Sequence, residues 1–120
     1  MGKGIFVTGT GTDIGKTYVT ALIVKKLADA GIRTGYYKAA LSGAKSIGDS
    51  DAGYVKKIAG ITQEDTSLIS YLYQNAVSPH LAAQIEGNPV DPEKIKKDFD
   101  KVKSKFDYVT VEGSGGTSFP

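Results

Sequence analysis

The segment 9–17 constrains this chain more than any other stretch. Its sequence, GTGTDIGKT, follows the short apolar run 4–8 and precedes an apolar helical pattern that starts at Tyr18. A strand, a glycine-rich turn and a helix in this order are typical of a phosphate-binding loop. Backbone N–H groups and the helix N-terminus bind the anion there, while Lys16 reaches the outer phosphates and the Thr17 hydroxyl ligates Mg²⁺.

The loop departs in one respect from the strict spacing G-x-x-x-x-G-K-[ST]. That spacing places Thr10 at the first position, with Gly9 one residue early. Either the loop is a lengthened variant, or Gly11 supplies the permissive backbone. An ordinary glycine-rich turn is the alternative, but the coincidence of strand, Gly-Lys-Thr and helix favours nucleotide binding.

Composition excludes several other classes of protein. The 120 residues suit one domain, and a net charge of +2 from 15 basic and 13 acidic residues is too balanced for an electrostatic nucleic-acid binder. There is no cysteine, so disulfides, thiolate metal sites and cysteine nucleophiles are excluded. No apolar run is long enough for a signal peptide or a membrane span. We therefore expect a cytoplasmic protein with no nucleic-acid or membrane partner.

Hydrophobic periodicity and turn residues predict alternating helices and strands. The first helix, 16–30, is predicted to bury a broad stripe made of Tyr18, Val19, Leu22, Ile23, Val24 and Leu27. The next helix, 51–59, begins after Ser50, ends at Gly60 and turns Val55 and Ile58 inward. Further helices are predicted at 78–86 and from Asp91-Pro92, the latter with the stripe Ile95, Phe99, Val102 and Phe106. Predicted strands cover 33–40, 66–73 and 107–112, with an irregular segment as the alternative at 66–73.

Strands joined through helices predict a right-handed crossover and a mainly parallel sheet. We therefore expect an α/β fold of the P-loop NTPase type with three layers, in a single domain spanning 1–120. The last strand is apolar from Tyr108 to Val111 apart from Thr110, which is typical of a strand paired on both edges and covered on both faces.

Four polar residues outside the loop are candidates for chemistry. Glu112 ends the last strand, where an acidic residue completes the Mg²⁺ site of phosphate-loop enzymes, although a solvated strand terminus is equally consistent. Lys38 lies near the end of the second strand and either stabilises a transferring phosphate or is simply exposed. Asp51 either interacts favourably with the dipole of its helix, as acidic residues in a first turn do, or is a metal ligand. His80 is expected to be structural or to lie at the rim of a binding site.

Taken together, these segments resemble the dethiobiotin synthase family. The shared motifs are VTGTGTDIGKT at 7–17, GYYKAALSG at 35–43, SDA at 50–52, VSPH at 77–80 and VEGSGG at 111–116. The lengthened loop is itself the form found in that family. The resemblance covers the whole chain but only about half of a typical member. The chain differs at Ala39, where proline often follows the lysine, and in a shortened 43–50 loop.

The resemblance implies a role for each matching residue. Thr12, Asp13, Ile14, Gly15, Lys16, Thr17 and Glu112 match the nucleotide site, and Thr17, Asp51 and Glu112 match the Mg²⁺ ligands. Lys16 and Lys38 match catalytic lysines, while Ser42, Gly113, Gly115 and Gly116 match substrate contacts. The implied reaction uses ATP and Mg²⁺ to close the ureido ring of dethiobiotin from 7,8-diaminononanoate and CO₂ or bicarbonate. It proceeds through an N-carbamate and a carbamic–phosphoric anhydride.

Two other functions stay open at the level of sequence. One is a partition-type or metallochaperone-type ATPase switch, although such proteins commonly carry an additional lysine early in the loop, and none lies between Gly9 and Gly15. The other is a nucleotide-binding module without chemistry of its own. At most four strands fit into this chain, so one sheet edge is expected to be open. We therefore expect a homo-oligomer or association with a C-terminal half, and little activity from this chain alone.

Overall fold

The computed structural model describes residues 3–7 and 13–113, which form a parallel sheet covered by helices. The strands are β1 (Lys3–Val7), β2 (Thr34–Ser42), β3 (Ile69–Tyr73) and β4 (Tyr108–Glu112). The helices are α1 (Asp13–Asp29), α2 (Asp51–Ala59), α3 (Pro79–Glu86) and α4 (Pro92–Lys105), with a 3₁₀ turn at Asp65–Ser67.

The four strands are arranged in the order β1-β4-β2-β3, and all three neighbouring pairs are parallel. This confirms the predicted α/β class and the predicted position of β4, which has a strand on each side. The register brings the carboxyl ends of the strands level, since Val7 pairs with Glu112 and Tyr37 pairs with Val111. In open parallel sheets this is the edge at which ligands bind.

Two helical layers enclose the sheet, as predicted. On one face, Ala21 and Val24 of α1 pack with Tyr36 of β2 and with Ala52 and Val55 of α2. On the other face, Ala82 and Ala83 of α3 and Val102 of α4 pack with Ala40, Tyr71, Tyr73, Tyr37 and Val109 of the strands. The predicted stripe of α4 is confirmed, because Ile95, Phe99 and Phe106 also pack into this second layer.

The capping residues that were predicted from sequence are found at the helix ends. Ser50 accepts a hydrogen bond from the backbone N–H of Gly53 at the start of α2, and Gly60 ends that helix in the left-handed conformation. Asp91 accepts from the N–H of Glu93 at the start of α4, with Pro92 as the first helical residue. These caps satisfy backbone groups that a helix leaves unpaired at its ends.

The predicted inward face of α1 was wrong in part. Tyr18, Val19 and Leu22 are 51%, 49% and 42% exposed, whereas the small residues Thr20 and Ala21 are fully buried. Small side chains let the helix axis approach the sheet, and the larger apolar residues then fall on the outer face. The same holds on α2, where Val55 is buried as predicted but Ile58 is exposed.

Three element boundaries differ from the predictions by two or more residues. Strand β3 begins at Ile69 rather than at residue 66, because Asp65–Ser67 forms a 3₁₀ turn. Helix α1 begins at Asp13 rather than at residue 16, so Lys16 and Thr17 belong to its first turns. Strand β2 continues to Ser42, two residues beyond its predicted end, because β3 pairs with it over that length. Within residues 3–7 and 13–113, no helix combines the length and the apolar character that crossing a membrane requires.

Gly53 makes α2 sensitive to a single added methyl group. A Cβ atom at this position would lie 2.3 Å from the carbonyl oxygen of Gly48, whereas a Cβ on Gly48 itself would meet no atom within 4 Å. Alanine is intrinsically better than glycine inside a helix, but overpacking against backbone outweighs that gain. We predict that Gly53→Ala lowers the free energy of unfolding by about 1–3 kcal/mol in denaturant titrations.

Gly48→Ala is the matched control for this substitution. It adds the same methyl group to the other partner of the contact, but into open space, and should change stability by less than about 0.5 kcal/mol. Equal stabilities for the two variants would contradict the close approach of α2 to residues 47–48.

Candidate functional site

The buried carboxylate of Glu112 is the centre of the candidate site. This residue ends β4 and is 1% exposed. Its Oε2 atom accepts a hydrogen bond of 2.9 Å from Thr17 Oγ1 and lies 3.6 Å from Lys38 Nζ. Its other oxygen, Oε1, accepts a hydrogen bond of 2.8 Å from the hydroxyl of Tyr36. Three residues from two other elements therefore contact one carboxylate.

The topology explains why these side chains meet. Residues two apart in a strand point to the same face of a sheet, so Tyr36 and Lys38 of β2 share a face. Strand β4 lies beside β2, and Glu112 directly follows Val111, the partner of Tyr37. Thr17 lies in the early part of α1, which packs on that same face. The structure thus brings together three of the residues predicted from sequence: Thr17, Lys38 and Glu112.

Burial of a charge is costly unless the charge is paired and hydrogen-bonded. The side chains of Lys38 and Glu112 are 6% and 0% exposed, so this ion pair is almost fully withdrawn from solvent. Two hydroxyl donors satisfy the remaining capacity of the carboxylate. This pairing excludes the solvated strand terminus that the sequence had left open for Glu112, and likewise the exposed lysine for Lys38.

The hydroxyl of Tyr36 is a donor rather than an ionisable group at neutral pH. Burial raises the pKa of Tyr36 well above its usual value, and the negative charge of Glu112, its hydrogen bond with Tyr36 and the charge of Asp51 raise it further. Asp51 is the first residue of α2, the helix that packs with α1 and Tyr36 on this face of the sheet.

Oxygen ligands are what Mg²⁺ prefers, and the donor set here fits that preference. Thr17 would supply a hydroxyl, Glu112 a carboxylate that contacts both Thr17 and Tyr36, and Asp51 a second carboxylate from the start of α2. In the described part of the chain, no group of three or more histidine, cysteine, aspartate or glutamate residues forms a metal centre. A set of two carboxylates and one hydroxyl would suit a cation that keeps several water ligands or phosphate oxygens.

Other predicted residues of the nucleotide site lie at the start of α1. Gly15 is exposed, whereas Lys16 is only 8% exposed, and the Lys16 carbonyl accepts a hydrogen bond of 2.8 Å from Thr20 Oγ1. Asp13 and Ile14 form the first residues of α1. Thr12, Gly115 and Gly116 fall outside the described residues, and Gly113 is half-buried directly after Glu112.

Ser42 and His80 lie in other surroundings. The Ser42 hydroxyl donates a hydrogen bond to the carbonyl of Val77, just before α3. His80 is an exposed residue of α3, and it lines a shallow surface cavity with residues of the 87–92 segment. Ser42 and His80 do not contact the Glu112 carboxylate.

Sequence reasoning missed two residues that shape the site. The sequence predicts Tyr36 only as part of the strand 33–40, and it gives Gln63 no role. The Gln63 side-chain amide accepts from the N–H of Tyr36 at 2.8 Å and donates to its carbonyl at 2.9 Å. The position of Tyr36 two residues before Lys38 was the available signal, since it places both side chains on one face.

Comparison with known proteins identifies the family of this chain and several relatives. A family model described as an AAA domain matches residues 3–120. A protein of Clostridium botulinum strain Loch Maree, named ATP-dependent dethiobiotin synthetase, is 56% identical over the whole chain, which covers 55% of that protein. A Brachyspira hyodysenteriae protein of the same name is also 56% identical, with 54% of its length covered.

The chain thus spans about half the length of the curated relatives that it matches. Their shared name confirms the resemblance that the motifs predicted. The match of the family model over nearly all residues shows that this chain belongs to the AAA domain family, with dethiobiotin synthetases among its relatives.

Proposed function

We propose that this chain carries the Mg²⁺–ATP site and the phosphoryl-transfer residues of a dethiobiotin synthetase. The observation that carries the proposal is the buried contact of Glu112 with Thr17 and Lys38 at the carboxyl end of the parallel sheet. The names of the relatives support the assignment of the ligase reaction.

ATP binding is assigned to the start of α1. The N-terminus of a helix favours an anion, and Gly15 is exposed in the first turn of α1. The positive charge of Lys16 is proposed to contact the outer phosphates. In the same proposal Thr12, Asp13 and Ile14 contribute to the nucleotide site.

Thr17, Asp51 and Glu112 are the proposed residues for Mg²⁺. The bound ion would neutralise charge on the β- and γ-phosphates. Thr17 and Glu112 already lie in direct contact, and Asp51 stands at the start of a helix that packs against α1. In this proposal the three residues come from three different elements, α1, α2 and β4, and hold the ion between them.

The proposed reaction starts from the N-carbamate that 7,8-diaminononanoate forms with CO₂. A carbamate oxygen attacks the γ-phosphorus, the bond to ADP breaks, and a carbamic–phosphoric anhydride results. The neighbouring amine then attacks the carbonyl carbon, phosphate leaves, and the amine proton passes to solvent as the ureido ring closes. Both partners of the first step are anionic, so a positioned cation such as Lys38 lowers the barrier. Ser42, Gly113, Gly115 and Gly116 are the proposed substrate contacts.

The role of Lys16 can be tested by removing its charge. We predict that Lys16→Ala weakens Mg²⁺–ATP binding by roughly 100-fold in calorimetric titrations, since a lysine contacting phosphates is a strong charge-assisted donor. Lys26→Ala is the matched control, because it removes the same charge from an exposed position of the same helix. Equal ATP affinity for the Lys16→Ala variant and the wild-type protein would contradict the assignment.

A separate variant tests the role of Lys38 in turnover. Lys38→Met keeps most of the buried stem but loses the ammonium group. We predict a fall of roughly 100-fold in substrate-dependent phosphate release with ATP affinity changed only a few-fold, because the interaction strengthens in the transition state. The assay contains 7,8-diaminononanoate and bicarbonate, and omission of the diamine distinguishes a ligase from an ATPase switch.

Lys45→Met, at an exposed position of the 43–50 loop, is the control for the loss of a lysine. Both variants are measured in the form of the protein that turns over, whether alone or with a complementing second polypeptide. A full rate for Lys38→Met would show that Lys38 does not act on the transferring phosphate.

Association with another polypeptide is proposed from the exposed apolar surface. Among the described strands, β1 pairs only with β4, and α1 exposes Tyr18, Val19 and Leu22. An open strand edge and an apolar patch favour association. We predict that a 120-residue polypeptide of this sequence self-associates in light scattering. Substrate-dependent phosphate release should appear only after the remaining part of a relative is added.

Leu22→Glu should weaken this association, whereas Ile85→Glu, at an exposed apolar position of α3, should not. A monomer that releases phosphate in response to the diamine would overturn the prediction.

A further inference from the structure

The hydroxyl of Tyr36 contacts only one of the two oxygens of Glu112. It donates to Oε1 at 2.8 Å, while Thr17 donates to Oε2 at 2.9 Å and Lys38 lies 3.6 Å from Oε2. The two oxygens therefore have different surroundings. We propose that Tyr36 is a positioning residue that holds Glu112 by Oε1 and so directs Oε2 towards the cation and phosphate; this inference rests on the proposed function.

The backbone of Tyr36 is fixed by an unusual partner. Strand β3 pairs with β2 only from Lys38 onward, so at Tyr36 this side of β2 has no neighbouring strand among the described residues. The Gln63 amide takes its place, since it bonds both the N–H and the carbonyl of Tyr36. Gln63 is itself 4% exposed and also donates to Ser67 Oγ at 3.0 Å. This side-chain amide thus holds Tyr36 as a neighbouring strand would.

The ring of Tyr36 is equally constrained. It is fully buried in the cluster formed by α1, β2 and α2, which includes Ala21, Val24 and Val55. Protein interiors are close-packed, so the ring cannot change rotamer without displacing these neighbours. A hydroxyl on a fixed ring is a donor at a fixed point, and Glu112 Oε1 accepts at that point.

We expect the hydrogen bond between Tyr36 and Glu112 to raise the affinity for the metal ion as well as the stability of the fold. A carboxylate bound at one oxygen presents the other in a defined direction, and partners that orient a metal ligand typically change metal affinity by 10–100-fold when removed. Without the Tyr36 hydroxyl, Oε1 loses its donor, and the orientation of the carboxylate is no longer fixed from that side.

The test compares two tyrosine-to-phenylalanine variants. Tyr36→Phe removes the hydroxyl and keeps the buried ring. Tyr73→Phe is the matched control, because Tyr73 is also fully buried and its hydroxyl donates a single hydrogen bond of 2.7 Å, to the carbonyl of Asn88. Mn²⁺ affinity of each protein–ATP complex is measured by electron paramagnetic resonance, ATP affinity without metal by calorimetry, and stability by denaturant unfolding.

We expect Tyr36→Phe to weaken Mn²⁺ binding roughly tenfold while ATP affinity without metal stays unchanged. Higher Mg²⁺ concentrations should restore the nucleotide affinity that this variant loses at low Mg²⁺. Tyr73→Phe should lose a similar amount of stability without any change in Mn²⁺ affinity.

The outcomes separate this inference from the proposed function. If the wild-type protein binds Mn²⁺–ATP and Tyr36→Phe binds it equally well, the positioning role is wrong and the proposed function stands. An equal loss of Mn²⁺ affinity in both variants would show that Tyr36 has only a structural role and does not position Glu112. If the wild-type complex shows no Mn²⁺ binding, the metal site and the role of Tyr36 both fail.

Discussion

The carboxylate of Glu112 is buried at the end of the central strand β4, so its negative charge has to be neutralised by the residues around it. The cost of a buried charge is high, and only close pairing with full hydrogen bonding offsets it. Lys38 supplies the opposite charge, and Thr17 and Tyr36 supply the donors. Removing one partner would leave the others buried without compensation. The cluster thus links α1, β2 and β4 at the edge of the sheet where a nucleotide is expected.

The sheet order makes this cluster possible. Because β4 lies between β1 and β2, the carboxylate that ends β4 is next to the strand that leads into the glycine-rich segment and next to the strand that carries Lys38. Helix α1 then returns across the same face. Such a site depends on contacts between residues that are far apart in the sequence. Gln63 adds one of these contacts, because its side chain bonds the Tyr36 backbone where β3 does not pair with β2.

Local signals in the sequence predicted the local features well. Ser50, Gly60 and Asp91 marked helix ends because caps depend on a few neighbouring residues. The motifs also predicted that Thr17, Lys38 and Glu112 belong to one site. The exposed face of α1 was not predicted, because Leu22 and its apolar neighbours outweighed small residues in the pattern. Contacts of Tyr36 with Gln63 and Glu112 join residues 27 and 76 positions apart, and no local pattern records them.

We propose that the Glu112 carboxylate couples Mg²⁺ to the nucleotide. The most direct measurement is a calorimetric titration of ATP into the wild-type protein and into Glu112→Gln, each with Mg²⁺ and with a chelator. The account predicts that Mg²⁺ strengthens ATP binding to the wild-type protein and that this gain is lost in the variant, because the amide has no charge to offer the cation. The same gain from Mg²⁺ in both proteins would contradict the account.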